Sequence, residues 1–390
     1  MATHITAAES TGNILAGARI RDVSKKIHEV DPSAAPFTLF FAKADSKVAL
    51  NPKFEWQEKG LPERWLKIND ASASATDTTI DVDTPGGDYV RPGAVLRNVR
   101  TGENMRVTSS TATVLTVVRA IDGDGTTGTA FADNDDLLII GSIYAENADV
   151  PTVHSYQETQ PFNYTQIFRR SYGASGTLTA SALYSGNTRT HQAMENARDF
   201  RILLEESFIY GEKTSTSAES DAAPRRSTGG ILQFATATQA MGGTMTESEL
   251  ETFTQTAFLA TGGSSEKFLA ASGTAVSVID QLAAARLQVV PKEKTYGVGI
   301  TRWVTAHGEL NIVKHRLLES GTITADGYDG HMIAIDPKKI GYRYLEGRNI
   351  QLLKDRQGPG IDGWIDEYLA EVGWEVRNPT THLVGTGITG

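Results

Sequence analysis

Two of the eight histidines, His307 and His315, stand eight residues apart across a stretch of strand-like alternation. An even spacing on a strand can bring both imidazoles to one face, where a metal could be held. The other six are scattered, so no metal site is predicted. Asp122-Gly123-Asp124-Gly125 resembles the opening of a calcium loop. It lacks the third ligand position and the closing Glu, since position 133 is Asp, and a hairpin turn is the better reading. Gly173-Ala174-Ser175-Gly176-Thr177 misses the nucleophile-elbow pattern at its last glycine. The chain contains no GxxxxGK[ST] loop, no HExxH and no GxGxxG opening a helix after a strand. Arg225-Arg226 is the densest basic spot of a polar loop and reads as a solvated tip, with a contact to nucleic acid or a partner chain left open. No catalytic residue, cofactor site or metal ligand is therefore predicted, and the chain is read as a non-enzyme.

The elements that would have to position any site are those of a large soluble protein. The 390 residues suffice for two or three domains. The net charge of -10 disfavours a protein that reads DNA, because an acidic surface repels phosphate. With no cysteine there are no disulfides, thiolate metal sites or cysteine nucleophiles, which fits a reducing cytosol. The start MATHITAAESTG has no apolar core of a signal peptide, and no apolar run approaches the roughly 18 residues of a membrane span. The 37 glycines, with many Thr and Ser, point to a turn-rich fold with much sheet.

One segment organises the rest. From Thr188 to Tyr210 there is neither Gly nor Pro, and Ala193, Ala197, Phe200, Leu204 and Phe208 recur at helical spacing. The spacing predicts a helix of roughly 35 Å, with Glu195, Arg198, Asp199, Glu205 and Glu206 on its solvent face and Gly211 as its stop. Residues 1–50 read as an arm with a short helix near 21–29 and an aromatic cluster at Phe37, Phe40 and Phe41. Residues 51–68 and 153–171 read as two legs of one long antiparallel loop. Between them, 69–145 carries short apolar runs at 80–82, 95–99, 105–107, 114–118 and 137–140, separated by Gly- and Pro-rich turns. That rhythm predicts a small all-β barrel or sandwich. Thr246-Glu247-Ser248-Glu249 signals a capped helix, 267–271 a strand, and 272–290 a second helix. Residues 331–390 are strand-like, ending in a loose GTGITG tail.

This order, together with KFEWQEKGLPERW (53–65), VLRNVRTGENMRVT (95–108), LLIIGSIYAENAD (137–149), FNYTQIFRRSYGASGT (162–177) and HQAMENARDFRILLEESFIYG (191–211), resembles the major capsid proteins of tailed double-stranded DNA phages. The resemblance implies the α+β Hong Kong 97 fold, in a subfamily with a β-domain inserted in its extended loop. On that template residues 1–50 are the N-arm, and 51–68 with 146–171 the extended E-loop. Residues 69–145 are the inserted domain, 172–227 with 331–390 the peripheral P-domain around the spine helix 188–210, and 228–330 the axial A-domain.

The implied function is a structural head protein that self-assembles into pentamers and hexamers of an icosahedral shell. The shell encloses double-stranded DNA without reading its sequence and touches no membrane. The implied partners are further copies, a separate scaffolding protein, a portal protein and, as an option, a decoration protein. The implied place is the virion, assembled in the host cytoplasm. Candidate contacts between subunits are Phe37, Phe40, Phe41, Phe54, Trp56, Trp65, Arg169 and Arg170. The apolar ones are expected to gain burial only against neighbours, at roughly 25 cal/mol per Å². A covalent lock between Lys59 or Lys67 and Asn378 is considered, and none is predicted. Two alternatives stand beside this reading: an encapsulin-like nanocompartment shell, which shares the fold, and a carbohydrate-binding β-rich protein using 69–145.

Overall fold

A computed structural model describes residues 46–389, apart from 62, 71–73, 85, 122, 124–127, 152, 154, 182–187, 216–223, 285–292, 296–297 and 320–327. The arm, with Phe37, Phe40 and Phe41, lies outside the described residues. The chain forms two compact units. The main unit joins residues up to Trp56 with Gln160 onward, and the second is the continuous stretch Gln57–Thr159.

The second unit is a β-barrel. Six strands run in the order Trp65–Lys67, Asp136–Ser142, Ala94–Asn98, Asn104–Ser110, Val114–Val118 and Thr79–Asp81, all pairs antiparallel. The bridge Ile68–Val82 returns the last strand to the first and closes the sheet. Closure removes the exposed edges an open sheet would carry. Alternate residues point inward, so Leu66, Ile68, Ile80, Leu96, Met105, Val107, Leu115, Val117 and Leu137 fill the interior. The five apolar runs of the sequence each lie in or overlap one of these strands. A sixth comes from a leg: Trp65–Lys67 belongs to the barrel instead of the loop read at 51–68, because Leu66 and Ile68 are core residues there.

In the main unit the legs pair over a shorter span, Lys53–Glu55 against Phe162–Tyr164, with a further bridge from Glu58 to Thr159 just inside the second unit. Gln166–Ser175 then leaves the loop and pairs at ten positions with the long strand Gly363–Val376. Ile340–Leu345, Gln351–Leu353 and Ser46–Ala49 complete this five-stranded sheet. The long helix spans Thr188–Tyr210 and packs Phe200, Leu204 and Phe208 on Phe168, Tyr342, Val372 and Trp374. Glu205 departs from the expected solvent face: it is fully buried and meets His315 at 2.8 Å. The helix stops where Gly211 lets two carbonyls close in, since a Cβ there would lie 2.4 Å from the oxygens of Ser207 and Thr228.

A seven-stranded mixed sheet forms the rest. Its order is Ala237–Gly243, Leu383–Ile388, Met332–Ile335, Glu266–Ala271, Glu309–Lys314, Val298–Val304 and Glu293–Thr295. Central strands such as FLAA and MIAI are continuous apolar runs because both faces are covered. One face shares the long-helix core through Phe268, Ala270, Ile333 and Ile335. The other packs the helices Glu247–Leu259 and Gly273–Ala284 through Leu250, Phe253, Ala275 and Ile279. Thr246 and Glu249 form the capping box the sequence signals. Residues 331–390 divide between the two sheets. Met332–Ile335 and Leu383–Ile388 belong to this sheet, not with Gly363–Val376 in the five-stranded one. The GTGITG end is not a loose tail, since Leu383–Ile388 is paired on both sides and buries Val384 and Ile388.

Candidate functional site

Among the described residues no cluster of three metal-ligating side chains exists. His315 is buried against Glu205, whereas His307 is exposed in the turn that Thr305 and Gly308 close, so the two do not share a face. Ser175 caps the short helix Gly176–Ala180, its Oγ accepting from the Leu178 N–H at 3.3 Å, and forms no nucleophile elbow. Arg226 lies in a two-residue strand pairing Thr214–Ser215. The geometry therefore offers surfaces to interpret more than a reaction centre.

The candidate contact residues separate into three settings. Phe54 and Trp56 are already buried in the single chain, with Ala49 and Phe234 around them. Their burial does not wait for a neighbour, contrary to expectation, because the paired legs fold back on the sheet. Phe54 sits over Gly373, where a Cβ would lie 2.7 Å from its ring and 2.6 Å from the Tyr164 carbonyl oxygen. Trp65, in contrast, is half exposed on the outer face of the barrel, directly across from Leu138 and in the strand pair that also carries exposed Ile140. Arg170 points to the long helix, donating to Asp199 at 2.8 Å. Arg169 points the other way and pairs with Glu367.

That other side of the five-stranded sheet carries a ladder. Glu367, Glu371 and Glu375 alternate inward along Gly363–Val376 and are nearly inaccessible. Arg169 and Arg356 serve Glu367, Arg348 serves Glu371 at 2.6 Å, and Arg343 and Arg377 serve Glu375. The hydrogen bond from Arg169 is the main cause that holds Glu367 below the usual carboxylate range. The every-fourth-residue glutamates in DEYLAEVGWEV are a signal that strand periodicity could have exposed. The Glu205–His315 pair could not be found that way, since its members are 110 residues apart.

Two buried charge sites lie elsewhere. In the barrel, Arg119 meets Glu103 fork to fork at 2.7 and 2.8 Å and also donates to the carbonyls of Ser74, Asp77 and Thr129. Burial alone would raise the Glu103 carboxyl. Arg119 and the N–H groups of Thr129 and Ala120 outweigh it and hold that group below its ordinary value. In the seven-stranded sheet, buried Lys267 donates to the carbonyls of Ala257, at 2.5 Å, and Thr381. Burial lowers it to about 8. Nearby His382 accepts from the Asp336 N–H through Nδ1, its Nε2 is unpartnered, and burial lowers it to about 4.

The most exposed surface is on the second unit. Every described residue from Gly141 to Ser155 is exposed, and none belongs to regular structure beyond Ser142. Val150 and Val153 are each 90% exposed and Leu61 is 80% exposed, with Ile143 and Tyr144 half exposed.

A family model described as SU10 major capsid protein matches residues 4–389. A major capsid protein of Pseudomonas phage PaMx41 is 23% identical over 346 residues, covering 82% of this chain and 80% of that protein. Among solved structures, the capsid of a native GTA particle aligns over 97% of this chain and 99% of its own, with a TM-score of 0.52 at 10% identity. The capsid of an empty GTA particle aligns over 94% of each chain, with a TM-score of 0.48 at 10% identity. The first of these is a likeness of fold, and the α+β architecture is that of the Hong Kong 97-type phage capsids.

Proposed function

Because the chain belongs to the SU10 major capsid protein family and is a phage major capsid protein, we propose that its copies close into pentamers and hexamers of an icosahedral shell. That shell holds double-stranded DNA inside. The observation that carries this reading is the exposure of every described residue between 141 and 155. Val150 and Val153 have almost no cover among the described residues. At roughly 25 cal/mol per Å² each apolar side chain that a neighbour covers adds to the shell's cohesion. Trp65 and Ile140 on the barrel, and the outward faces of Arg169 and Arg356 on the ladder, are further contact groups.

In this assembly the five-stranded sheet with its long helix acts as the P-domain, the seven-stranded sheet as the A-domain, and the paired legs as the E-loop. The barrel lies on the outer side of the shell and reinforces contacts between capsomers or seats a decoration protein. A separate scaffolding protein and a portal complete the head in the host cytoplasm. The chain's acidity keeps it from clinging to the genome, and contact with DNA is not sequence-specific. Copies hold together without covalent locks. Lys59 is engaged by Glu158 at 2.9 Å, and the Asn378 amide donates to the Thr261 carbonyl at 2.9 Å.

The test is assembly itself. Electron microscopy of the purified chain should show closed shells, and boiling them in detergent should release one band of subunit mass. The double variant Val150→Asp, Val153→Asp should fold and fail to close. Normal shells from that variant would defeat the role given to this stretch. A shell filled with protein cargo instead of DNA would favour the nanocompartment alternative.

A further inference from the structure

Just beyond the long helix, Lys213 is placed by its backbone N–H, which donates to Gln233 Oε1 at 2.7 Å. Its side chain lies half buried against aromatic rings. The ammonium is 4.0 Å from the centre of the Phe162 ring and 5.4 Å from that of Phe234, and it donates to the Phe162 carbonyl at 3.4 Å. A second cation shares the same ring, since Lys53 Nζ is 4.5 Å from its centre. Glu55, the carboxylate on that ribbon, is taken by Lys53 at 2.6 Å. Among the described residues no carboxylate forms an ion pair with Lys213. Here a cation is partly desolvated beside a like charge, and both effects weaken its hold on the proton. One carbonyl leaves ammonium donors unused. An anion entering the site would supply the counter-charge.

We propose that Lys213, between Phe162 and Phe234, is a socket for an Asp or Glu side chain of a second copy of this chain. The proposal rests on the shell reading above and names one point at which copies meet. The occupant is a single carboxylate and not a run of DNA phosphates. With Lys53 taken by Glu55, one cation on the Phe162 ring is left to balance, and a single carboxylate balances it without a run of phosphates. The subunit's own balance of -10 makes acidic side chains plentiful on any neighbour.

Shells co-assembled from isotopically light and heavy chains test this, after treatment with a zero-length carbodiimide that couples amines to adjacent carboxylates. Peptide mass spectrometry should find Lys213 joined to an Asp or Glu in mixed light–heavy pairs. Acylation of Lys213 should be at least about tenfold slower in shells than in dissociated subunits. Lys213→Glu should fold with unchanged melting temperature and lose shell yield at least about tenfold, while Lys213→Arg should retain it. Coupling only within single chains, or equal acylation in both states, would overturn the proposal. Protection of Lys213 in DNA-filled shells but not in DNA-free ones would also overturn it, by making phosphate the occupant. If Lys213→Glu does not fold, Lys213→Met, which keeps the contact with the rings, must show the same loss of yield. Failure of the unaltered chain to form any shell would instead defeat the assembly reading.

Discussion

In the barrel, fully buried Arg119 lies fork to fork with Glu103, whereas in the seven-stranded sheet fully buried Lys267 donates to the carbonyls of Ala257 and Thr381 and lies over the Phe258 ring. Both sites take a cation out of water. The first supplies five acceptor contacts, two of them from the Glu103 counter-charge, whose carboxyl is held below its ordinary value. The second supplies dipoles, and its neighbour His382 is held neutral with one nitrogen unpartnered. A paired site is sensitive to the loss of a partner. An unpaired site is sensitive to pH.

The largest effect should come from breaking the paired site. Arg119→Met strands the Glu103 carboxylate in the barrel and should cost about 3–5 kcal/mol in urea unfolding. Adding Glu103→Leu should recover most of that. A cost below about 1 kcal/mol would erase the contrast between the sites.

Next comes acid. His382 is depressed from 6.5 to about 4 in the folded chain. Its neutral form therefore contributes stability that is full above pH 6.5 and lost as the pH falls through 4. The loss amounts to at most about 3 kcal/mol. His382→Asn should flatten this part of the stability profile, measured as melting temperature between pH 7 and 4. An unchanged slope would show that another group governs it. Lys267 acts at the alkaline end: folded at about 8 against 10.5 unfolded, it makes stability rise with pH between those values.

A smaller effect belongs to packing in the main unit, where charge plays no part. Gly373→Ala puts a methyl into the Phe54 ring and should cost about 1–3 kcal/mol by thermal unfolding. The smallest belongs to the outside of the barrel. Trp65→Ser should change the stability of the dissociated subunit by less than about 0.5 kcal/mol. If it matched Arg119→Met, the outer face would be part of the barrel's own core after all.

The long helix and the barrel strands were legible in the sequence because their periodicity is local and each covers a single face. Thr246–Glu249 was legible because a capping box lies within one turn. What escaped depends on residues far apart in the chain. Glu205 looked like a solvent residue by position on its helix, yet it is buried and meets His315, which arrives from another sheet. Phe54 and Trp56 looked bare because the cover for them, Phe234 and the gap over Gly373, comes from later segments. The last strand looked loose because its glycines are poor strand formers, yet its pairing on two sides overrides that propensity. Of the candidate contacts, the aromatic type was readable and the exposure was not, so Trp65 and Phe54 looked alike.

The position of Leu383–Ile388 between Ala237–Gly243 and Met332–Ile335 also sets a clock on synthesis. The barrel's strands leave the ribosome together, early, and can pair as soon as they emerge. The seven-stranded sheet lacks an inner strand until translation has passed Ile388. A chain broken off before that point cannot complete the sheet.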